Sequence, residues 1–193
     1  MIHVHEQRGE WLEPLRSYYA SAGRPLPAVT LLAGPDVPRP YRDLLVHEED
    51  MTSVLERYHG EAIGLRVLRA GPQDGAWTRE VVLVASGSGK PVEFGAIRIH
   101  LDRFGPRPRE MILEGRRPLG GILKEEGLSY RCRPGAFFRV RSDTIINTVL
   151  ELDGEQPLFG RYNVLYDPAD RPLAEVVEIL PPAGPGHVNT GEP

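Results

Sequence analysis

The segment from Ile63 to Leu101 constrains the fold of this chain most. Three runs, IGLRVLRA, WTREVVLVAS and PVEFGAIRIHL, have the period-two character of strands and are separated only by GPQDG and GSGKP. Successive side chains of a strand point to opposite faces, and clusters of Gly, Pro, Asp and Ser supply turn conformations. Connections this short leave no room for a crossover helix, so neighbouring runs pair antiparallel. FFRVR, LFGRYNVLY and PLAEVVEILP, the last two hinged on DPADR, extend the block.

Around the strands lie shorter stretches of helical period. Trp11, Leu12, Leu15, Tyr18 and Tyr19 recur at helical spacing between Glu10 and Ala20, with Pro14 suited to a first turn. EDMTSVLERYHG offers Asp50 as N-cap, Met51, Val54, Leu55 and Tyr58 as an apolar stripe, and Gly60 as a stop. RPLGGILKEEG reads as a loop entering a short helix, and SDTIINTVLEL as a helix capped by Ser142 or Asp143. Strands in a block with helices before and among them predict an α+β domain, an antiparallel sheet with helices packed on one side. A length of 193 residues suits a single domain, expected over 1–181. The last residues, 182–193, lack apolar periodicity and are expected to form a disordered tail.

A net charge of −4 gives no basic footprint, so nucleic acid is not expected as a partner. No apolar run is long enough for a membrane span, and the N-terminus MIHVHEQRGE has no signal-like core, which predicts a cytoplasmic protein. Cys132 is the lone cysteine, and no Cys or His pairs have metal-site spacing, so no metal is expected. Arg131 and Arg133 flank that thiol and could lower its pKa, yet no His or Asn partner is identifiable, and Cys132 reads as a bystander.

Two strands carry charges on otherwise apolar faces. In WTREVVL, Trp77, Arg79, Val81 and Leu83 share one face, and Glu80, Val82 and Val84 the other. In the last run, Glu178 shares a face with Ala174, Val176 and Leu180, while Glu175 shares the opposite one with Val177 and Ile179. Withdrawing such charges from water costs several kcal/mol unless something of opposite sign meets them. Either Arg79 pairs with Glu178 or Glu80 inside the core, or Arg79 awaits a ligand carboxylate, which a guanidinium grips with two parallel hydrogen bonds. Periodicity leaves both open.

Over about Asp43 to Pro181, the helix with DMTS, the strand with WTREVVL, the loop with RPLG and the final VVEILP occur in the order seen in chorismate pyruvate-lyases, a family this chain resembles. The resemblance implies the chorismate lyase-like fold, with helical flaps over an internal ligand site. It also implies an enzyme, a carbon-oxygen lyase that eliminates pyruvate from chorismate to give 4-hydroxybenzoate without a cofactor, as a monomer serving ubiquinone or aromatic secondary-metabolite synthesis. Carried over by position, it implies ligand contacts from Met51, Arg79, Leu119, Gly120 and Glu178. Arg79 would bind the ring carboxylate, the backbone at Leu119 would add hydrogen bonds, and Glu178 would lie near the hydroxyl-bearing end; Arg79 and Glu178 are the implied catalytic pair. Aromatisation drives such an elimination, so the protein's task is to bind a reactive conformer and stabilise developing charge.

The chain departs from the pattern in two places. Glu178 is one residue further from Pro172 than in some members, with Glu175 as a competitor, and Gly95 is followed by Ala96 where many members have arginine. Arg98, on the strand face of Ala96, could supply a displaced cation. The same fold serves as the effector-sensing domain of bacterial repressors, so the alternative is a non-catalytic binder of an aromatic carboxylate, or a lyase for another enolpyruvyl substrate. Repressors place a helix-turn-helix before that domain. The stretch before the DMTS helix is proline-rich and shows no second basic helix, so a complete repressor is not expected.

Overall fold

The computed structural model describes residues 10–183. The residues expected to form a tail fall almost wholly outside them. Seven strands form one open antiparallel sheet: β1 (Val29–Leu32), β2 (Ile63–Gln73), β3 (Ala76–Ala85), β4 (Pro91–Ile99), β5 (Arg131–Arg141), β6 (Pro157–Tyr166) and β7 (Pro172–Leu180). Their spatial order is β1-β5-β6-β7-β4-β3-β2. The last strand therefore lies in the middle of the sheet, hydrogen-bonded to β4 on one side and β6 on the other.

Among the described residues six α-helices cover the sheet: α1 (Glu13–Ser21), α2 (Tyr41–Leu45), α3 (Met51–His59), α4 (Pro106–Glu114), α5 (Leu119–Glu125) and α6 (Thr144–Leu150). On one face α1 and α6 set Leu15, Tyr19, Ile146 and Leu150 against Val82, Phe94, Val177 and Phe138. Tyr19 donates its hydroxyl to Asp143 Oδ1 at 3.0 Å, and the same carboxylate caps α6 at the Ile146 N–H, which ties the two helices together. On the other face α4 and α5 lay Ile112, Leu119, Ile122 and Leu123 over Ile97, Ile99 and Val176. Beside them α2 and α3 bury Leu45, Met51 and Leu55 over Leu83, Ala85 and Leu180. The architecture is the expected α+β one, with packed helices on one side and flaps across the other.

Local chemistry explains the flap boundaries. Asp50 caps α3 by accepting from the Ser53 N–H at 2.9 Å, and Gly60 ends the helix in the left-handed conformation at φ 68°. The helix α4 starts on PRPRE, in a stretch that carries no expectation from the sequence. Pro106 and Pro108 fall in its first turn, where backbone N–H groups have no helical acceptor to lose. The strand β5 is twice the expected FFRVR, and its ladder shifts register between Pro134 and Ala136, a bulge that accommodates Pro134 and Gly135.

Candidate functional site

The register of the sheet sets out the site in rows on the flap-covered face. Arg79 on β3 lies opposite Ile97 on β4, Ile97 opposite Val176 on β7, and Val176 opposite Asn163 on β6. The next row runs Val81, Gly95, Glu178, Arg161, and Glu93 pairs with Leu83 in the row beyond. Rows of one face are roughly 7 Å apart and neighbouring strands about 4.8 Å. Over this floor, α3 and the start of α5 close a cavity of about 70 Å³ lined by Arg79, Glu93, Asn163 and Glu178 together with Met51, Leu119 and Gly120. On the scale on which one water needs roughly 10–15 Å³, this holds several heavy atoms.

The two sequence-identified charges do not pair with each other. Arg79 is 2% exposed. Its Nη1 donates to the Ile112 carbonyl of α4 at 3.4 Å, and its Nε has no hydrogen-bond partner among the described residues. Glu80, the other suggested partner, points to the opposite face and binds Arg69 Nε at 2.8 Å. Burial lowers the Arg79 guanidinium to about 10, so it stays charged at neutral pH. The result is a buried cation with no carboxylate partner among the described residues, pointed at a cavity.

Glu178 is bound instead by Arg161, directly opposite on β6, through the guanidinium Nε. Arg161 is fully buried and its remaining donors reach the carbonyls of Leu45 at 3.2 Å, His47 at 3.1 Å and Glu49 at 3.2 Å. It therefore pins the loop that leads into α3, with four of the guanidinium's five N–H bonds engaged. Burial raises the Glu178 carboxyl and Arg161 opposes that shift. Glu93, also buried, is held well above the usual carboxylate range by burial and by the nearby Glu178 charge. A Cβ built on Gly95 would lie 2.9 Å from Glu93 Oε1. The Glu93 carboxyl thus fills the space that any larger residue at 95 would take, beside Glu178.

A carboxyl with a raised folded pKa loses stability as pH climbs. Between the unfolded value near 4.3 and the raised folded one, the native state holds a proton that the unfolded chain has released, so stability falls with pH. Glu93→Leu should therefore melt above the parent protein at pH 7–8, with the gap closing towards pH 4. Melting curves across that range check it, and a gap independent of pH would show that Glu93 is ionised in the fold.

The remaining sequence-identified residues divide cleanly. Met51 (4% exposed) and Leu119 (5% exposed) open the two flap helices, and both line the cavity. Gly120 lets the flaps meet: a Cβ there would lie 2.9 Å from Asp50 Oδ1 at the head of α3. Asp50 also accepts from the Tyr130 hydroxyl at 3.1 Å and pairs with Lys124 of α5 at 3.5 Å, fastening one flap to the other. Glu175 faces away and meets His100 Nε2 at 3.0 Å, so Glu178 is the last-strand carboxylate that faces the cavity. Arg98 does not join the site. Strand alternation sends it to the reverse face, where it donates to the Asp74 carbonyl at 2.8 Å. Ala96 lies on that face too, buried in the α1 and α6 core.

Glu93 and Arg161 are functional candidates that neither the misplaced charges nor the resemblance picks out. The alternation that exposes Arg79 also puts Glu93 with Gly95 and Ile97, and Arg161 with Asn163 and Leu165. Cys132 is buried, and burial pushes its thiol up to about 11, against the lowering that its arginine neighbours suggested. Among the described residues there is no group of three or more His, Cys, Asp or Glu placed to hold a metal ion, and no helix long and apolar enough to cross a membrane.

No protein-family model matches the sequence, and no curated protein sequence matches it. Solved structures do. PhnF from Mycobacterium smegmatis superposes with a TM-score of 0.56 at 16% identity, over 70% of this chain and 65% of that one. The effector domain of PhnF from the same organism gives 0.53 at 15% identity, over 68% and 87%. This chain thus spans 65% of the longer PhnF chain. At such identities the likeness concerns the fold, and the fold shared with the PhnF effector domain is the one the sequence resemblance implies.

Proposed function

We propose that the cavity binds a small cyclic monocarboxylic acid, with its carboxylate on Arg79. The observation that carries this reading is the buried guanidinium with Nε unpartnered among the described residues. A ligand carboxylate would convert a costly isolated charge into a charge-assisted pair. The shared fold with a domain described as an effector domain supports ligand binding as the function. Charge favours one carboxylate over two, because Arg161, the other cation at this floor, already has its charge paired with Glu178 and most of its donors held by three carbonyls.

A second reading is catalytic, the lyase that the resemblance implies, with chorismate as substrate or another enolpyruvyl acid in its place. It is favoured by the adjoining carboxyls of Glu93 and Glu178, whose environment keeps a proton on a buried acid next to the ligand space. In that reading Arg79 anchors the ring carboxylate and Glu178 orients the ring hydroxyl. Chorismate incubated with the purified protein, followed by chromatography for 4-hydroxybenzoate and pyruvate, separates the two. Product above the uncatalysed rate establishes the lyase. Calorimetric binding of 4-hydroxybenzoate without turnover establishes the binder, and neither binding nor turnover defeats both.

A further inference from the structure

His47 sits in the loop between α2 and α3, and its half-buried ring is bonded at both nitrogens. Nε2 meets the Leu44 carbonyl near the end of α2 at 2.8 Å, and Nδ1 accepts from the Glu49 backbone N–H at 3.1 Å. A carbonyl at one nitrogen and an N–H at the other assign a single arrangement of hydrogen, the neutral ring with its proton on Nε2. Nδ1 also lies 3.2 Å from Arg161 Nη1, whose two hydrogens go to the carbonyls of Leu45 and His47. A second proton on the ring would therefore point at an N–H and at a cation, with no acceptor to receive it.

Among the described residues the charges around the ring come from three sides. Arg161 faces it from β6 and is itself paired with Glu178 on β7. Glu49 lies in the same loop and is held by Arg57 of α3 through two hydrogen bonds of 2.8 Å. Burial and then Arg161 lower the His47 ring below its ordinary 6.5, with a smaller push from Arg57 in the same sense. The Leu44 carbonyl and Glu49 favour the charged ring and are outweighed. The loop held in this way runs directly into Asp50, Met51 and Thr52, which line the cavity.

We propose that His47 is a positioning residue for the ligand site: its neutral ring locks the loop and the α3 flap onto Arg161, and its protonation frees that flap and releases the occupant of the cavity. The release rests on the ligand-binding reading above, whereas the lock does not. The sign follows from linkage. With the closed form holding the ring below 6.5, the lock is intact above that pH. As pH falls below it, the open form takes up the proton first, and the closed form loses up to about tenfold in relative population per pH unit.

The test is hydrogen exchange of the full chain between about pH 7.5 and pH 5, corrected for the intrinsic exchange rate. Protection of residues 46–51, relative to that of β7, should fall several-fold over this range, up to the roughly tenfold per pH unit that one proton allows. In His47→Asn the side-chain oxygen can still accept the Glu49 N–H but does not titrate, so the relative protection should stay level. Glu93 and Glu178 are present in both proteins, so their own titration cancels in the comparison. Dissociation of 4-hydroxybenzoate should accelerate over the same range in the parent and not in the variant. Level protection in the parent, or an equal fall in the variant, overturns the inference. So does a lock that opens while bound 4-hydroxybenzoate leaves at an unchanged rate. A lock that opens in a protein to which 4-hydroxybenzoate does not bind at any pH upholds the lock and counts against the ligand reading. Where the variant fails to fold, NMR of the parent decides: the His47 ring should carry its hydrogen on Nε2 at neutral pH and titrate below 6.5, and a ring with hydrogen on Nδ1 or titrating above 6.5 overturns the inference.

Discussion

Arg79→Met should melt at a higher temperature than the parent protein and lose its affinity for carboxylate ligands. The guanidinium is buried, keeps its charge and receives only a long contact from the Ile112 carbonyl. Replacing an uncompensated buried charge by an apolar side chain of similar length removes a desolvation cost of several kcal/mol, so a gain of at least about 1 kcal/mol is expected. For a domain of this size each kcal/mol moves the melting temperature by about 2–4 °C. Binding moves the other way. Truncating one partner of a buried charged pair costs about 2–5 kcal/mol, which is at least about 30-fold in Kd. Thermal melting with calorimetry on the same variant tests both halves. A variant that melts several degrees lower would make Arg79 a structural residue and remove the basis for a ligand site.

Arg161→Met should do the reverse and unfold the protein or destabilise it by about 3–5 kcal/mol, the cost of stranding one member of a buried ion pair. The loss is compounded because the same side chain satisfies the carbonyls of Leu45, His47 and Glu49. Removing the stranded charge as well, in Arg161→Met with Glu178→Met, should recover much of the stability. Denaturant unfolding of the two single variants and the double variant gives the coupling directly. Additive losses would mean that the pair contributes nothing beyond its separate parts. The contrast is the useful result: two arginines on one face of one sheet, one dispensable to the fold and one essential to it.

The sequence makes the faces of the strands legible but not their neighbours. Alternation alone puts Arg79 and Glu178 on apolar faces, because a strand's period does not depend on where it sits. Their partners depend on strand order, and β7, joined to β6 as a hairpin, also pairs on its other edge with β4, which is far away in sequence. Glu178 therefore meets Arg161 across its own hairpin, while Arg79, two strands away on β3, meets no carboxylate among the described residues. Helices α3 and α6 were readable from their caps, since Asp50 and Asp143 act within four residues of themselves. By contrast α4 opens on two prolines and has no capping side chain to announce it, and β5 hides its first half behind a proline and a glycine. Arg98 is the instructive miss. A cation two residues from Ala96 shares its face, and that face turns out to belong to the core under α1 and α6.

The clasp between the flaps also governs timing. Asp50 on α3 is joined to Tyr130 and to Lys124 of α5, and Gly120 allows the two helix heads to touch above the cavity. Exchange of a ligand is expected to require that clasp to part, which association kinetics can test. Association should then level off at high ligand concentration, at a ceiling equal to the opening rate and well below diffusion control. Asp50→Asn, which weakens the clasp without emptying the cavity, should raise that ceiling and shorten the residence time of whatever Arg79 holds.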